Sequence, residues 1–237
     1  MADKRSGRNA GLRRRRARPA DAGEQILVVG LGRFGGAVAA ELVDLGFEVL
    51  GIDPDGARVQ QYSDVLTHVV QADSTSDEVL KQLGVEDFRY AVVGIGSDIE
   101  ASVLTTAALA DLGVPTIWAK AVTRAHGRIL ERVGAHHVVF PEHDMGHRVA
   151  HLVGGGLLDW FQLDEDFALV ETMVPTEMHG QSLGELALRS RYGGTVVCIK
   201  PRGQSFTHAT PETVLDEGAV LVVSGPAKKA EDFAHLS

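Results

Sequence analysis

The sequence predicts an α/β chain: a doubly wound parallel sheet followed by a small α+β domain. Three observations point there. First, the apolar run Gln25-Ile26-Leu27-Val28-Val29 breaks into Gly30-Leu31-Gly32-Arg33-Phe34-Gly35-Gly36 and then continues with helical apolar spacing through Ala37, Val38, Ala39, Leu42 and Val43. That is a strand, a tight turn and a helix start in one signal, and it fits the G-x-G-x-x-G fingerprint of Rossmann-like dinucleotide folds. Second, six strand-like runs alternate with helix-like runs about every 22 residues as far as Phe140, the pattern of a parallel sheet covered by helices. Third, residues 162–237 change character, with short strands, a hairpin turn and a final helix.

Taken in order, residues 25–29 are the first strand. Gly30 permits the turn, Gly32 lets a phosphate approach the backbone, and Gly35 lets helix and strand pack closely. The free N–H groups and the positive end of the helix dipole favour an anion there. Arg33 and Phe34 sit inside the fingerprint; Arg33 can read phosphate charge, or be an ordinary surface arginine of the helix. Residues 48–52 form the second strand. Asp53 ends it, about twenty residues past the glycines, where an acid meets ribose hydroxyls. Residues 54–62 read as a helix opened by Pro54, residues 67–71 as the third strand, and Ser76 as the cap of a helix reaching Leu83. Residues 90–94 are the fourth strand, followed by a helix over 99–112. Residues 115–119 are the fifth strand, 125–133 a helix and 137–140 the sixth strand. Ligands of such sheets bind beyond the carboxyl ends of the strands. Those tips carry Gly30 to Gly35, Asp53, Asp73 and Ser74, Gly96 and Ser97, Lys120, and Glu142.

Residues 144–161 read as one helix interrupted by Gly154-Gly155-Gly156. Each glycine costs a helix about 1 kcal/mol, which predicts a kink or hinge. His143, His147 and His151 recur at helical spacing, but two turns of straight helix separate the outer pair by about 12 Å, so only neighbours could share a metal. A solvated or interface stripe is the simpler reading. Asp164, Glu165 and Asp166 suggest a solvated linker. Beyond them, 168–174, 195–200, 205–208 and 219–224 read as strands, 182–188 and 227–234 as helices, and Pro201-Arg202-Gly203-Gln204 as a hairpin turn.

Charge and composition narrow the function. The net charge is −9, yet residues 1–25 hold eight Lys or Arg, leaving 15 basic against 29 acidic residues in the remainder. An acidic body argues against nucleic-acid binding. The basic arm lacks apolar periodicity and is expected to be disordered. No apolar run approaches the about 18 residues of a membrane span, and the basic start lacks the apolar stretch of a secretory signal. The single cysteine, Cys198, lies between apolar neighbours and reads as a strand residue. No nucleophile elbow or Ser-His-Asp arrangement is present.

The fingerprint Val29-Gly30-Leu31-Gly32-Arg33-Phe34-Gly35-Gly36 is joined by Thr105-Thr106, Ile117-Trp118-Ala119-Lys120, Val133-Gly134-Ala135 and Pro141-Glu142-His143-Asp144-Met145-Gly146. Ser190-Arg191-Tyr192-Gly193 and the acidic approach to Gly218 follow in the C-terminal part. Together they resemble the RCK family, regulators of potassium conductance, over residues 24–236. The resemblance implies a disordered basic arm at 1–23, an N-terminal nucleotide-binding domain at 24–143, a crossover helix and hinge at 144–161, and a C-terminal domain at 162–237. It also implies a non-enzymatic cytoplasmic subunit at the inner face of the plasma membrane. Dimers would assemble into an octameric ring beneath a membrane potassium channel, with ATP and ADP exchanging in the N-terminal domain to gate it.

By the same resemblance, Gly30, Gly32 and Gly35 hold the phosphates, and Asp53 takes the ribose hydroxyls. Asp73, Ser74, Gly96 and Lys120 line the ribose and base, and Ser97 lies beside them. Glu142 stands near the phosphates and helps hold a divalent cation. Asp73 departs from the asparagine of some relatives. Arg33 of a neighbouring subunit would meet the γ-phosphate of ATP. Helix faces around Leu104, Leu109 and Leu112, and around Val149, Leu152 and Leu157, are expected to pack on other subunits. In several relatives the C-terminal domain dimerises and binds cyclic di-AMP, and Arg189 falls at the matching arginine. An NAD(H)-sensing regulator and a small NAD-dependent oxidoreductase are the alternatives.

Overall fold

The computed structural model describes residues 24–236, so the basic arm at 1–23 lies outside the described residues. Two compact units divide between Pro141 and Glu142. In the first, the chain runs β1 (Gln25–Val29), α1 (Arg33–Asp44), β2 (Glu48–Asp53), α2 (Gly56–Tyr62), β3 (His68–Gln71), α3 (Asp77–Gln82), a 3-10 turn at Val85–Asp87, β4 (Tyr90–Val93), α4 (Ile99–Asp111), β5 (Thr116–Lys120), α5 (Arg124–Arg132) and β6 (His137–Val139). The six strands form one sheet in the order β3-β2-β1-β4-β5-β6, every pair parallel. The order reverses at β1, whose Val29 lies level with Ile52 on one side and Val93 on the other.

Burial explains the continuous apolar run of β1. Leu27 and Val29 face a core shared with Leu80, Leu109, Ile117 and Leu130, while Ile26 and Val28 face a second core with Leu31, Ala39 and Leu66. A parallel sheet covered on both faces needs such strands. The helix starts are set by side-chain caps: Asp55 accepts from the Ala57 N–H, Ser76 from Val79, Asp98 from Ala101 and Thr123 from His126. The Asp55 cap places the start of α2 at Gly56 instead of Pro54, since the capping residue is itself extended.

The second unit departs more from expectation. Helix α6 (Pro141–Val153) starts earlier than 144 and ends before the glycines instead of continuing to 161. Gly155 and Gly156 take φ of +92° and +81°, a left-handed conformation that ends a helix and that other residues resist. A strand follows directly, β7 (Asp159–Asp164), anchored where the Leu158 N–H donates to the Glu171 carbonyl at 2.7 Å. The acidic run is therefore the turn of a β7–β8 hairpin, not a linker, with Asp164 paired to Phe167. The remaining elements are β8 (Phe167–Met173), a 3-10 turn at Thr176–Met178, α7 (Leu183–Leu186), α8 (Leu188–Tyr192), β9 (Thr195–Lys200), β10 (Thr207–His208), β11 (Val220–Pro226) and α9 (Ala227–Ala234). Ala187, at φ +45°, ends the helix expected over 182–188 at Leu186, and α8, which was not expected, follows it. The sheet is antiparallel in the order β10-β9-β11-β8-β7. Its core gathers Trp160, Val170, Leu221, Val223 and Phe233.

The expected subunit-packing faces are corrected in part. Leu109 is buried in the first core and Leu157 in the second, with Leu112 and Leu152 packed against the same cores. Leu104 and Val149 stay exposed. Helix α4 thus spends Leu109 on its own sheet, whereas α6 has no buried residue and leaves Met145, Val149 and Val153 exposed.

Candidate nucleotide site

The carboxyl ends of β1 to β5 meet at one edge of the first sheet, as parallel pairing requires. There the glycines show distinct demands. Gly30 has φ +86°. A Cβ on Gly35 would lie 1.9 Å from the Gly30 carbonyl oxygen, so only glycine allows α1 to approach β1. Gly32 is different: within 4 Å a Cβ there would meet only Arg58 Nη1, at 3.9 Å. Its open side is where a ligand can come close to the backbone. Gly32 also caps α1, with no side chain bonded to the helix N–H groups and no acid in the first turn. An uncapped twelve-residue helix with this start favours an anion.

Around this loop, Lys120 at the end of β5 is 9% exposed. Its Nζ stands 5.8 Å from the centre of the Phe34 ring and 3.0 Å from where a Gly96 Cβ would be. Phe34, Gly96 and Lys120 thus close one side of the site. Ser97 is exposed beside Gly96, and Arg33 is exposed as the first residue of α1.

Asp53 and Ser74 are tied into the protein. Asp53 is 1% exposed; its Oδ2 accepts from the Leu31 N–H at 2.7 Å and its Oδ1 from the Asp55 N–H at 2.9 Å. The acid thereby locks the glycine loop to the end of β2. Ser74 Oγ lies 2.9 Å from Thr105 Oγ1, both buried, and joins the end of β3 to α4. Asp73 is exposed, and its Oδ1 accepts from the Thr75 N–H at 2.9 Å and the Thr75 hydroxyl at 2.7 Å. The Thr75 backbone bond first, then its hydroxyl, hold the Asp73 carboxyl below its usual value.

One residue here escaped the sequence reading. Arg58, on α2, reaches back with Nη1 3.3 Å from Asp53 Oδ2 and Nε 3.5 Å from Asp55 Oδ2. The signal was a cation five positions after the strand-ending acid, one turn into a helix. It has no fixed place in the glycine fingerprint. An apolar groove of about 390 Å³ also lies along α1, lined by Phe34, Val38, Leu42, Tyr90, Val92 and Trp118 among others.

Two expected site residues belong to the second unit. Glu142 is in the first turn of α6 and exposed. Arg189 is exposed on α8 and lines a groove of about 660 Å³ with Leu183, Ala187, Ser190, Thr195 and Pro211. The α6 histidines stack instead of chelating. His151 lies flat on Trp160 at 4.1 Å, with Nδ1 3.0 Å from Glu231 Oε1, and His147 meets both rings edge-on. Among the described residues no group of three or more His, Cys, Asp or Glu is placed to hold a metal ion.

An α/β sheet with an open glycine loop, followed by an antiparallel α+β unit, is the architecture of an RCK domain. The fold matches the crystal structure of the GsuK RCK domain (TM-score 0.63, 22% identity), covering 92% of this chain and 48% of that one. It also matches the GsuK channel bound to NAD (TM-score 0.62, 22% identity), covering 91% of this chain and 40% of that one. Residues 26–141 match the TrkA-N domain and residues 168–237 the TrkA-C domain. Ktr system potassium uptake protein A of Bacillus subtilis (strain 168) is 36% identical over 213 residues, 90% of this chain and 96% of that protein. Ktr system potassium uptake protein C of the same organism is 38% identical over 211 residues, 89% and 96% of the two chains, and protein A of Vibrio alginolyticus is 34% identical over 207 residues, 87% and 94%. The chain belongs to the Ktr potassium uptake proteins built from a TrkA-N and a TrkA-C domain.

Proposed function

We propose that the protein is a nucleotide-sensing regulatory subunit of a potassium uptake system. It acts in the cytoplasm at the inner face of the membrane, without catalysing a reaction. The observation that carries this reading is the uncapped start of α1 over an open Gly32, closed on one side by Lys120 and Phe34, in a chain of the Ktr family. Phosphates sit on the α1 N–H groups, and the adenosine extends toward the ends of β2 and β3. ATP and ADP differ by the γ-phosphate. Only ATP reaches an added cation, Arg33 of a neighbouring subunit, with a divalent ion held near Glu142. A contact made with one ligand and not the other is what shifts a two-state equilibrium. Dimers assembling into an octameric ring would transmit that shift to a membrane potassium channel.

Calorimetry on the full chain with ATP, ADP, NAD and NADH tests this. Binding of ATP and ADP is expected. Binding of NAD or NADH alone selects the second reading, which the likeness to a GsuK channel bound to NAD supports. Binding of none of the four overturns both. The groove beside Arg189 supports a further ligand site, for cyclic di-AMP, in the second unit.

A further inference from the structure

The acid at the end of β2 is expected to meet the ribose hydroxyls, yet Asp53 is 1% exposed. A carboxylate offers about four lone-pair sites. Three are engaged by the Leu31 N–H, the Asp55 N–H and Arg58 Nη1. One remains, and a ribose diol presents two hydroxyls. The group at this corner that does face outward is Arg58, whose side chain is 45% exposed. Its guanidinium bridges Asp53 and the half-exposed Asp55, and among the described residues its Nη1 is what a Cβ on Gly32 would meet within 4 Å beyond its chain neighbours, at 3.9 Å. Five N–H donors in a planar fork leave several for a ligand after both acids are met.

We propose that Arg58 reads the ribose hydroxyls of the bound nucleotide, with Asp53 as the buried counter-charge that positions it. The inference rests on the nucleotide reading above and assigns its ribose corner. The oxygen of the 2′-hydroxyl accepts from the guanidinium, and the 3′-hydroxyl donates to the remaining lone pair of Asp53. The site therefore reads the diol through one acceptor and one donor. The flanking acids neutralise Arg58, so it selects hydroxyl groups over additional phosphate at this corner.

Titration calorimetry of the full chain with ADP and 2′-deoxy-ADP, for the native protein and R58A, tests the assignment. Native protein is expected to bind ADP about tenfold more tightly than 2′-deoxy-ADP, the size of one charge-assisted hydrogen bond. In R58A that ratio is expected to fall to within about twofold, because ADP weakens while 2′-deoxy-ADP barely changes. R58K, which keeps a cation and a donor, should restore part of the ratio. Equal weakening of both ligands by R58A would overturn the proposal, as Arg58 would then serve phosphate or the loop alone. A ratio unchanged in R58A would overturn it too. If native protein binds neither ligand, the ATP and ADP reading itself has failed, which is seen before any variant is made. Unfolding curves of R58A and R58K, matched to native, guard against a folding defect.

Discussion

At Gly35 the separation of sheet and helix is fixed by one missing methyl group. A Cβ there would overlap the Gly30 carbonyl oxygen at 1.9 Å, a backbone atom with nowhere to move. Gly35→Ala should cost about 3 kcal/mol or more of stability in urea unfolding, at the upper end of overpacking effects. At Gly32 the same addition meets only the end of a flexible arginine, so its requirement for glycine concerns the ligand. Arg33 and Lys120 differ in the same way. Lys120 is buried against Phe34 and Gly96, whereas Arg33 is exposed at the helix start. An exposed cation at an N-terminus gains little by remaining there unless an anion arrives. Arg33→Ala is therefore expected to bind ADP nearly as native protein does and to lose ATP-specific activation of potassium flux in reconstituted vesicles. Full ATP activation in that variant would remove Arg33 from the mechanism.

Elements of the first unit were legible because their signals are local. The strand ends fall within a residue or so of expectation, since apolar runs and capping residues such as Ser76 and Asp98 are contiguous in sequence. Strand β7 was not legible. Its residues Trp160 to Asp164 carry one buried side chain and four exposed ones, so no alternation marks a strand, and the preceding helix masks its start. Its place is held instead by contacts distant in sequence. Arg148 of α6 donates through Nε to Asp159 Oδ1 at 2.7 Å and through Nη2 to Asp159 Oδ2, while its guanidinium lies 4.3 Å over the Phe161 ring. Bonding to Arg148 holds the Asp159 carboxyl below its usual value. A depressed folded pKa stabilises above the unfolded value of about 3.9 and is lost as pH falls through the folded one. Asp159→Asn should lower stability in urea unfolding near neutral pH, because Arg148 loses its charged partner. The difference from native protein should shrink steadily once pH drops below about 4. A deficit that persists unchanged in acid would mean the loss is packing and not charge. The candidate ribose corner escaped for the same reason as β7: Arg58 reaches Asp53 by folding back, and no motif spacing records that.

Across the whole molecule the two units divide the chemistry. The first offers an uncapped helix start and buried cation suited to phosphates, and the second an open groove beside Arg189. If the second is a separate ligand site, Arg189→Ala in the full chain should lower cyclic di-AMP affinity about tenfold or more, the loss expected for a cation on a phosphate, while ATP affinity stays unchanged. No heat from cyclic di-AMP with native protein would end that assignment and leave the nucleotide gate standing. The chain has two tryptophans, and the division gives one to each unit. Trp118 on β5 is 40% exposed, stacked on His137 at 4.0 Å, and lies two residues before Lys120. Trp160 is 5% exposed among the core side chains of the second unit. Each unit therefore holds its own built-in optical reporter. Trp118 should emit at longer wavelength and be readily quenched by acrylamide, and Trp160 should emit to the blue and resist it. A Trp160→Phe chain would then let nucleotide arrival at the first unit be followed by light alone, with no label attached.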